Sequence, residues 1–296
     1  MEIKYLKHTE IDVAKWDNCI SQAINSLVYA ESWYLNVVSS NWEALVGGDY
    51  ECVMPLPVKR KFGISFLVQP PLIQQLGVFS KTAINDEILE KFIRKIPYLS
   101  YHFNLNERNE CKNASAQPNY VLGLNENFEK LYTDFSKNTK RNIEKASNLK
   151  IRVTDDLQPD DFLKFYFSTE RNYGTAKKEI ISELIKSAFS QKKITIFSSY
   201  NSENELISAL SLLHSKGRFI YLLPISSEEG KKSSAMFLIV NEIIRKYSET
   251  SNLLDFEGSR VKGIARFYEG FGGKLKPYFE VKRLSINDLM TKIKNV

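Results

Sequence analysis

The residues best suited to chemistry lie in the last quarter of the chain, which from Leu253 reads LLDFEGSRVKGIARFYEGFGG. Asp255 and Glu257 stand two residues apart, and strand alternation would place both carboxylates on one face. Partial burial raises the pKa of a carboxyl group, so we expect a general base here, Glu257 first and Asp255 second. Alternatively, either carboxylate pairs with the nearby Arg260 or with the arginine at position 266.

Glycines and aromatic residues shape the predicted corner around these carboxylates. Gly258 predicts a turn directly after a short buried strand. Apolar residues from 264 to 271 recur at helical spacing, and the glycine pair at 272–273 predicts the end of that helix. Within it, Tyr268 is a candidate proton donor to a leaving group, or a core residue. A further strand is expected over 275–281, with Pro277 at an edge or bulge.

A second candidate site is the segment 226–235, SSEEGKKSSA, between a strand ending at Leu223 and an apolar helix over 236–247. Free N–H groups at a helix start bind anions, small residues allow close approach, and lysines add positive charge. The alternative is a surface loop with a serine cap. A P-loop is excluded, because Ile225 occupies the position of its upstream glycine. The candidate anion-binding residues are Ser226, Gly230, Lys231, Lys232, Ser233 and Ser234.

The sequence lacks the residue patterns that several other kinds of catalysis require. There is no G-x-S-x-G sequence, and the three histidines stand in no catalytic motif. The three cysteines are far apart and form no CxxC, which argues against a disulfide scaffold or a zinc site and suits a reducing compartment. We therefore expect no metal and no nucleophilic side chain.

Length, charge and hydropathy set the broad class. A chain of 296 residues accommodates two ordinary domains or one large one. Its formal net charge of +6 is compatible with coenzyme A, a nucleotide-sugar or RNA as a partner, and equally with ordinary surface lysines. The N-terminus has no apolar signal core, and no apolar run reaches the roughly 20 residues of a membrane-spanning helix. A cytoplasmic protein without a transmembrane segment is expected.

The element pattern predicts a domain over residues 1–125 and another over 126–296, divided at a polar break. Each half reads as helices, an antiparallel meander and a further helix. The helix that opens the second half is predicted to start at Ser136 as its N-cap. Its basic surface is either a solvated face or a landing site for phosphates. This surface includes Lys137, Lys140, Arg141, Lys145 and Lys150.

The order D-F-E-G-S, then G-I-A-R-F-Y-E-G-F-G-G, then an aromatic strand, resembles the end of the Fem-type (FemAB-like) acyltransferases. Three other stretches are similar to segments of that family: QPPLIQQLGVFS from Gln69, SKNTKRNIEKA from Ser136 and TERNYG from Thr169. The similarities are spread along most of the chain. One departure is that Phe267-Tyr268 stands where peptidyltransferases of this type carry a Phe-Lys pair.

The resemblance implies an α/β (α+β) fold of two tandem GNAT-like domains, with mostly antiparallel mixed sheets flanked by helices. It implies an N-acyltransferase that uses acyl-CoA as co-substrate, without a tightly bound cofactor. The acceptor would be an amine of an amino sugar, an amino acid or a cell-envelope precursor. In this context Arg171, Arg260, Lys140 and Arg141 are candidate substrate-binding residues.

Two alternatives stay open. One is an aminoacyl-tRNA-dependent Fem-type peptidyltransferase, which the missing lysine disfavours. The other is a non-catalytic GNAT-like protein that binds a nucleotide-sugar or a protein partner. No DNA partner is expected.

Overall fold

The structure, a computed structural model, describes residues 1–61, 63–169, 176–258 and 260–284. The chain divides into two compact units. The first unit comprises Met1–Gln117 together with the segment that starts at Pro277, and the second comprises Pro118–Lys276.

The first 117 residues contain three helices and eight strands in the described part of the chain. In chain order these are β1 (Ile3–Leu6), α1 (Val13–Gln22), α2 (Ser32–Val38), β2 (Glu43–Gly47), β3 (Cys52–Leu56), β4 (Val58–Lys61), β5 (Ile64–Val68), β6 (Phe79–Ser80), α3 (Asp86–Arg94), β7 (Tyr101–Leu105) and β8 (Ser115–Gln117). Two short 3-10 helices, His8–Glu10 and Val28–Ala30, flank α1.

The remaining elements follow from Pro118 onward. They are β9 (Tyr120–Gly123), α4 (Phe128–Thr133), α5 (Lys137–Asn148), β10 (Arg152–Thr154), α6 (Pro159–Thr169), α7 (Lys178–Ser190), β11 (Ile194–Tyr200), β12 (Leu206–Ser215), β13 (Arg218–Ser226), α8 (Glu228–Lys232), α9 (Ala235–Tyr247), β14 (Leu253–Asp255), α10 (Lys262–Gly270), β15 (Lys274–Leu275) and β16 (Tyr278–Arg283).

The first unit contains two sheets. One has the order β1-β2-β3-β6 and is antiparallel throughout. The other has the order β4-β5-β7-β16-β8, in which β5 and β7 run parallel. The buried rings of Trp16 and Trp42 lie 4.6 Å apart beneath α1. This aromatic packing anchors the amphipathic helix, whose polar face stays in water.

The second unit is built on one sheet with the order β10-β11-β12-β13-β14-β9-β15. Neighbours in this sheet are antiparallel except β13 and β14, which are parallel. Residues of α4, α5, α9 and α10 pack in one core with residues of β9, β11, β12, β13 and β14. The predicted meander and the predicted mixed α/β, mostly antiparallel architecture are therefore confirmed.

The structure places the unit boundary differently from the predicted division at 125/126. Strand β9 pairs with β14 and β15, so it belongs to the second unit. Strand β16 pairs with β7 and β8, so it belongs to the first. The single strand expected over 275–281 is consequently two strands in two different sheets, separated at Pro277.

No helix in the described ranges combines the length and the apolar character that crossing a bilayer requires.

Candidate active site

A split in the sheet of the second unit creates the main cleft. The parallel pairing of β13 with β14 covers three residues and ends at Ile220 opposite Asp255. On its other side β13 stays paired with β12 as far as Ser226. Because β14 ends at Asp255, the second half of β13 extends beyond it, and we infer that its backbone is open to a ligand on that side.

A β-bulge bends β13 immediately after the split. Leu223 has a φ of +51°, a left-handed conformation that is uncommon for a residue with a side chain. The register against β12 shifts here, so that Leu223 and Pro224 both lie opposite a single residue. Bulges of this kind change the direction of a strand and often lie next to functional sites.

The resulting cleft has a volume of about 940 Å³, which is within the usual range for small-molecule sites. It lies between β13, the first turns of α8 and α9, one side of α10 and the last residues of α6. Its walls are mostly apolar or uncharged. The lining residues are Ser168, Thr169, Tyr221, Pro224, Ile225, Ser226, Ser227, Glu228, Gly230, Lys231, Ser234, Met236, Phe237, Gly263, Ile264, Phe267 and Tyr268.

Tyr268, predicted as a proton donor, lines this cleft. It is 6% exposed, and its ring stacks on Phe256 at 4.8 Å and meets Tyr221 edge-on at 5.8 Å. Burial, followed by the negative charges of Glu257 and Asp255, raises the pKa of the Tyr268 hydroxyl. The phenol therefore stays protonated at neutral pH and is able to donate a hydrogen bond or a proton.

The two predicted carboxylates have different environments. Strand β14 ends at Asp255, and both Glu257 and Gly258 have positive φ angles, +57° and +56°. The predicted strand alternation is therefore wrong, because the chain turns before Glu257. A Cβ on Gly258 would lie 2.2 Å from the backbone oxygen of Pro118, so the predicted need for glycine at this turn is confirmed.

Asp255 is buried and ion-paired. Its Oδ2 accepts a 2.6 Å hydrogen bond from Nη1 of Arg218, and the two side chains are 1% and 7% exposed. Its Oδ1 accepts a hydrogen bond from the backbone N–H of Glu257 at 2.9 Å. The ion pair forms with Arg218, the first residue of β13, rather than with Arg260 or Arg266. Neither Asp255 nor the half-buried Glu257 lines the cleft, although the charges of both raise the pKa of Tyr268.

The segment 226–235 is not the simple turn that we predicted. The chain continues as strand to Ser226 and then forms the short helix α8, whose N-cap Ser227 accepts a hydrogen bond from the N–H of Gly230. Gly230 permits close packing of α8 on β12, because a Cβ would lie 2.2 Å from the backbone oxygen of Ile207. The glycine thus has a packing role that its predicted anion-binding role did not include.

The structure brings only some of the predicted anion-binding residues together. Ser226, Gly230, Lys231 and Ser234 line the cleft. Lys232 and Ser233 instead line a separate cavity of about 290 Å³. The longer helix α9 starts after Ser234, which has a φ of +63° and makes no side-chain cap. In the first turn of α9 the N–H of Phe237 donates to the backbone oxygen of Ser234, and both Met236 and Phe237 line the cleft.

The predicted basic helix forms as α5, with Ser136 as its N-cap. Lys140 donates to the backbone oxygen of Thr133 and Arg141 to Asn138, and neither lines the cleft. Arg260 is exposed and also outside the lining. Arg171 lies outside the described residues.

Sequence reasoning missed the apolar wall of the cleft. Met236 and Phe237 begin an apolar helix and resemble core residues. Nothing in the neighbouring sequence indicates that they line a cleft. Arg218 was missed as well, because nothing near it in the sequence points to Asp255. Within the described ranges, no cluster of three His, Cys, Asp or Glu residues is arranged to hold a metal ion.

A mixed, mostly antiparallel sheet that splits beside a bulged strand, with a helix start at the cleft, defines a Fem-like, GNAT-type fold. The chain superposes on the crystal structure of FemX with a TM-score of 0.63 and 12% identity, covering 94% of this chain and 97% of FemX. L-PGS from Bacillus licheniformis matches with a TM-score of 0.57 and 9% identity over 96% of both chains. A tandem GNAT protein from the clavulanic acid biosynthesis pathway matches with a TM-score of 0.51 and 9% identity, over 96% of this chain and 99% of that one. No family sequence model and no curated protein sequence matches the chain.

Proposed function

We propose that this protein is an N-acyltransferase that moves an acyl group from acyl-CoA to an amine of an amino sugar, an amino acid or a cell-envelope precursor. The observation that carries the proposal is the cleft beside β13, beyond the end of its pairing with β14, with Tyr268 in its wall. Such a cleft holds a thioester in place, and positioning is a large part of catalysis in acyl transfer. The tandem GNAT-type fold supports the same class of reaction.

Each end of the cleft has a role in this proposal. Lys231, together with the hydroxyl groups of Ser226 and Ser234, binds the pyrophosphate of the donor, because an ammonium and hydroxyl donors stabilise an anion there. The open backbone of β13 after Ile220 hydrogen-bonds the extended arm that carries the thioester.

The chemical step needs a base and an acid. The amine nitrogen attacks the thioester carbonyl, the C–N bond forms and the C–S bond breaks. Glu257 accepts the proton of the amine through a bridging water, and Tyr268 gives its phenol proton to the leaving thiolate. Proton exchange with water restores both side chains. Asp255 acts as a positioning residue, because its Oδ1 holds the backbone N–H of Glu257 while Arg218 fixes the carboxylate.

An aminoacyl-tRNA donor is the second candidate, and one contact favours it. Lys145 of α5 donates a 2.6 Å hydrogen bond to the backbone oxygen of Lys232, which brings the basic helix against the end of α8. Lys137 and Arg141 are exposed on the same helix, so an extended polyanion would find several cations there. FemX and L-PGS among the structural neighbours are consistent with this alternative.

Isothermal titration with CoA, acetyl-CoA and total tRNA separates the two donors. Saturable binding of CoA and acetyl-CoA is expected, and binding of tRNA alone would reverse the choice of donor. Binding of none of these probes would contradict a transferase of either kind and favour a binding protein.

Release of free thiol from acetyl-CoA, measured with amino sugars and amino acids as acceptors, tests the residues. Tyr268→Phe and Glu257→Gln should each lower turnover about 100-fold, the usual size of an acid–base contribution. Tyr120→Phe is the matched control, since Tyr120 is a neighbour of Tyr268 at 6.1 Å and does not line the cleft. Wild-type turnover in both site variants would refute the roles assigned to them.

A further inference from the structure

We infer that the transferred acyl group is a long apolar chain of about six or more carbons, rather than an acetyl or an aminoacyl group. This inference rests on the proposed function, because it concerns the substrate class of the same cleft. It follows from the character of the walls, from the distribution of charge along them and from the space at the first turn of α10.

The wall formed by α9 and α10 is aromatic and aliphatic. The rings of Phe237 and Phe267 meet edge-to-face with their centres 4.7 Å apart, and both line the cleft. Met236 and Ile264 extend the same surface, and Ile264 is 43% exposed. Apolar side chains left in contact with water at a cleft are stabilised when an apolar ligand covers them. An acetyl group is too small to cover a wall of this extent.

In the described part of the lining, charge is confined to α8. Among the described lining residues the charged side chains are Glu228 and Lys231, which form an ion pair at 2.8 Å on α8. An aminoacyl group carries an ammonium that needs a carboxylate or several acceptors when it leaves water. The wall of Phe237, Phe267 and Ile264 provides none, so it suits an uncharged chain.

Gly263 leaves room on the same wall. A Cβ built at this position meets no atom within 4 Å, although the residue lies in the first turn of a helix. Glycine is unfavourable in a helix, and neither packing nor a positive φ requires it here. Because Gly263 lines the cleft, a side chain there would take up part of its volume, and the glycine leaves that space for a ligand.

The test is a titration of the full-length protein with CoA and with acetyl-, hexanoyl- and octanoyl-CoA. Full burial of each methylene gives about a fourfold gain in affinity, and burial of half its surface gives about twofold. Octanoyl-CoA is therefore expected to bind about 60-fold more tightly than acetyl-CoA. Equal dissociation constants for the three esters would overturn the inference while leaving the acyl-CoA donor in place. Failure of CoA and all its esters to bind would overturn the proposed function and this inference together.

A pair of variants tests whether the longer acyl chains bind in the cleft. Gly263→Leu should reduce the ratio of acetyl- to octanoyl-CoA dissociation constants at least about tenfold, because the new side chain takes the volume of several methylenes. Lys262→Leu adds an apolar side chain one residue earlier, outside the cleft lining, and should leave the ratio unchanged. An unchanged ratio in Gly263→Leu, or the same fall in both variants, would show that the chain binds elsewhere and would refute the inference.

Discussion

The buried ion pair between Arg218 and Asp255 provides the sharpest test of how the second unit is held together. The pair joins Arg218, at the start of the paired stretch of β13, to Asp255, where β14 ends. Removing one member of a buried pair leaves an uncompensated charge and typically costs about 3–5 kcal/mol of stability. Replacing both members by apolar residues of similar volume is often neutral or stabilising.

Three variants separate the contributions. Asp255→Asn retains an oxygen that accepts from the N–H of Glu257 but leaves Arg218 without its carboxylate, so we expect a loss of about 3 kcal/mol. Asp255→Ala also removes that acceptor and should cost about 1 kcal/mol more. The double variant Arg218→Met/Asp255→Leu should lose less than either single variant.

Urea unfolding measures these losses. With a slope near 3 kcal/mol per molar urea, a loss of 3 kcal/mol shifts the midpoint by about 1 M. The three tryptophans, Trp16, Trp33 and Trp42, all lie in the first unit, so their fluorescence reports that unit while far-UV circular dichroism reports both. A loss below about 1 kcal/mol in Asp255→Asn would refute the reasoning. So would a double variant that loses more stability than Asp255→Ala.

Three further predictions follow from close packing and burial. Gly230→Ala should lose about 1–3 kcal/mol in urea unfolding because its Cβ would lie 2.2 Å from a backbone oxygen of β12, whereas the control Gly263→Ala should gain up to about 1 kcal/mol. Gly258→Ala should lose at least about 1 kcal/mol in the same assay because of its positive φ and its backbone contact, and an unchanged midpoint would contradict the strained turn. Burial raises the pKa of Cys19 to about 11 and of Cys52 to about 12, so alkylation by iodoacetamide at pH 8 should be about 100-fold slower in the folded protein than in urea. Because these thiols ionise first in the unfolded chain, stability should also fall as the pH rises above about 9.

The features that depend on neighbouring residues, such as helix caps and helix ends, were predicted correctly from the sequence. Ser136 caps α5, as expected from a serine ahead of a helical run. Gly272 has a φ of +85°, and the N–H groups of residues 272 and 273 bond back to Glu269 and Tyr268 in the Schellman pattern that ends α10. These features depend on a few neighbouring residues, so a short stretch of the sequence is sufficient to predict them.

The carboxylate pair shows where such rules fail. Alternation applies only while the chain remains a strand, and β14 is three residues long. Glu257 takes a left-handed conformation that a glutamate seldom adopts, so no propensity indicates that the strand has already ended. The partner of Asp255 is Arg218, 37 residues earlier. Only the parallel register of two strands brings them together, and nothing local encodes that register.

The segment around Pro277 shows that the sequence can predict a strand without predicting the sheet that the strand joins. Alternating apolar residues over 275–281 correctly indicate extended backbone, but not which sheet the backbone joins. β15 adds to the edge of the second unit beside β9, and β16 is inserted between β7 and β8 of the first. A strand placed between two others must satisfy hydrogen bonds on both sides, whereas an edge strand satisfies one side. The proline between them lacks an N–H and therefore suits the point where pairing in one sheet stops. Its position marks the change from the sheet of the second unit to a sheet of the first, and not a bulge within a single strand.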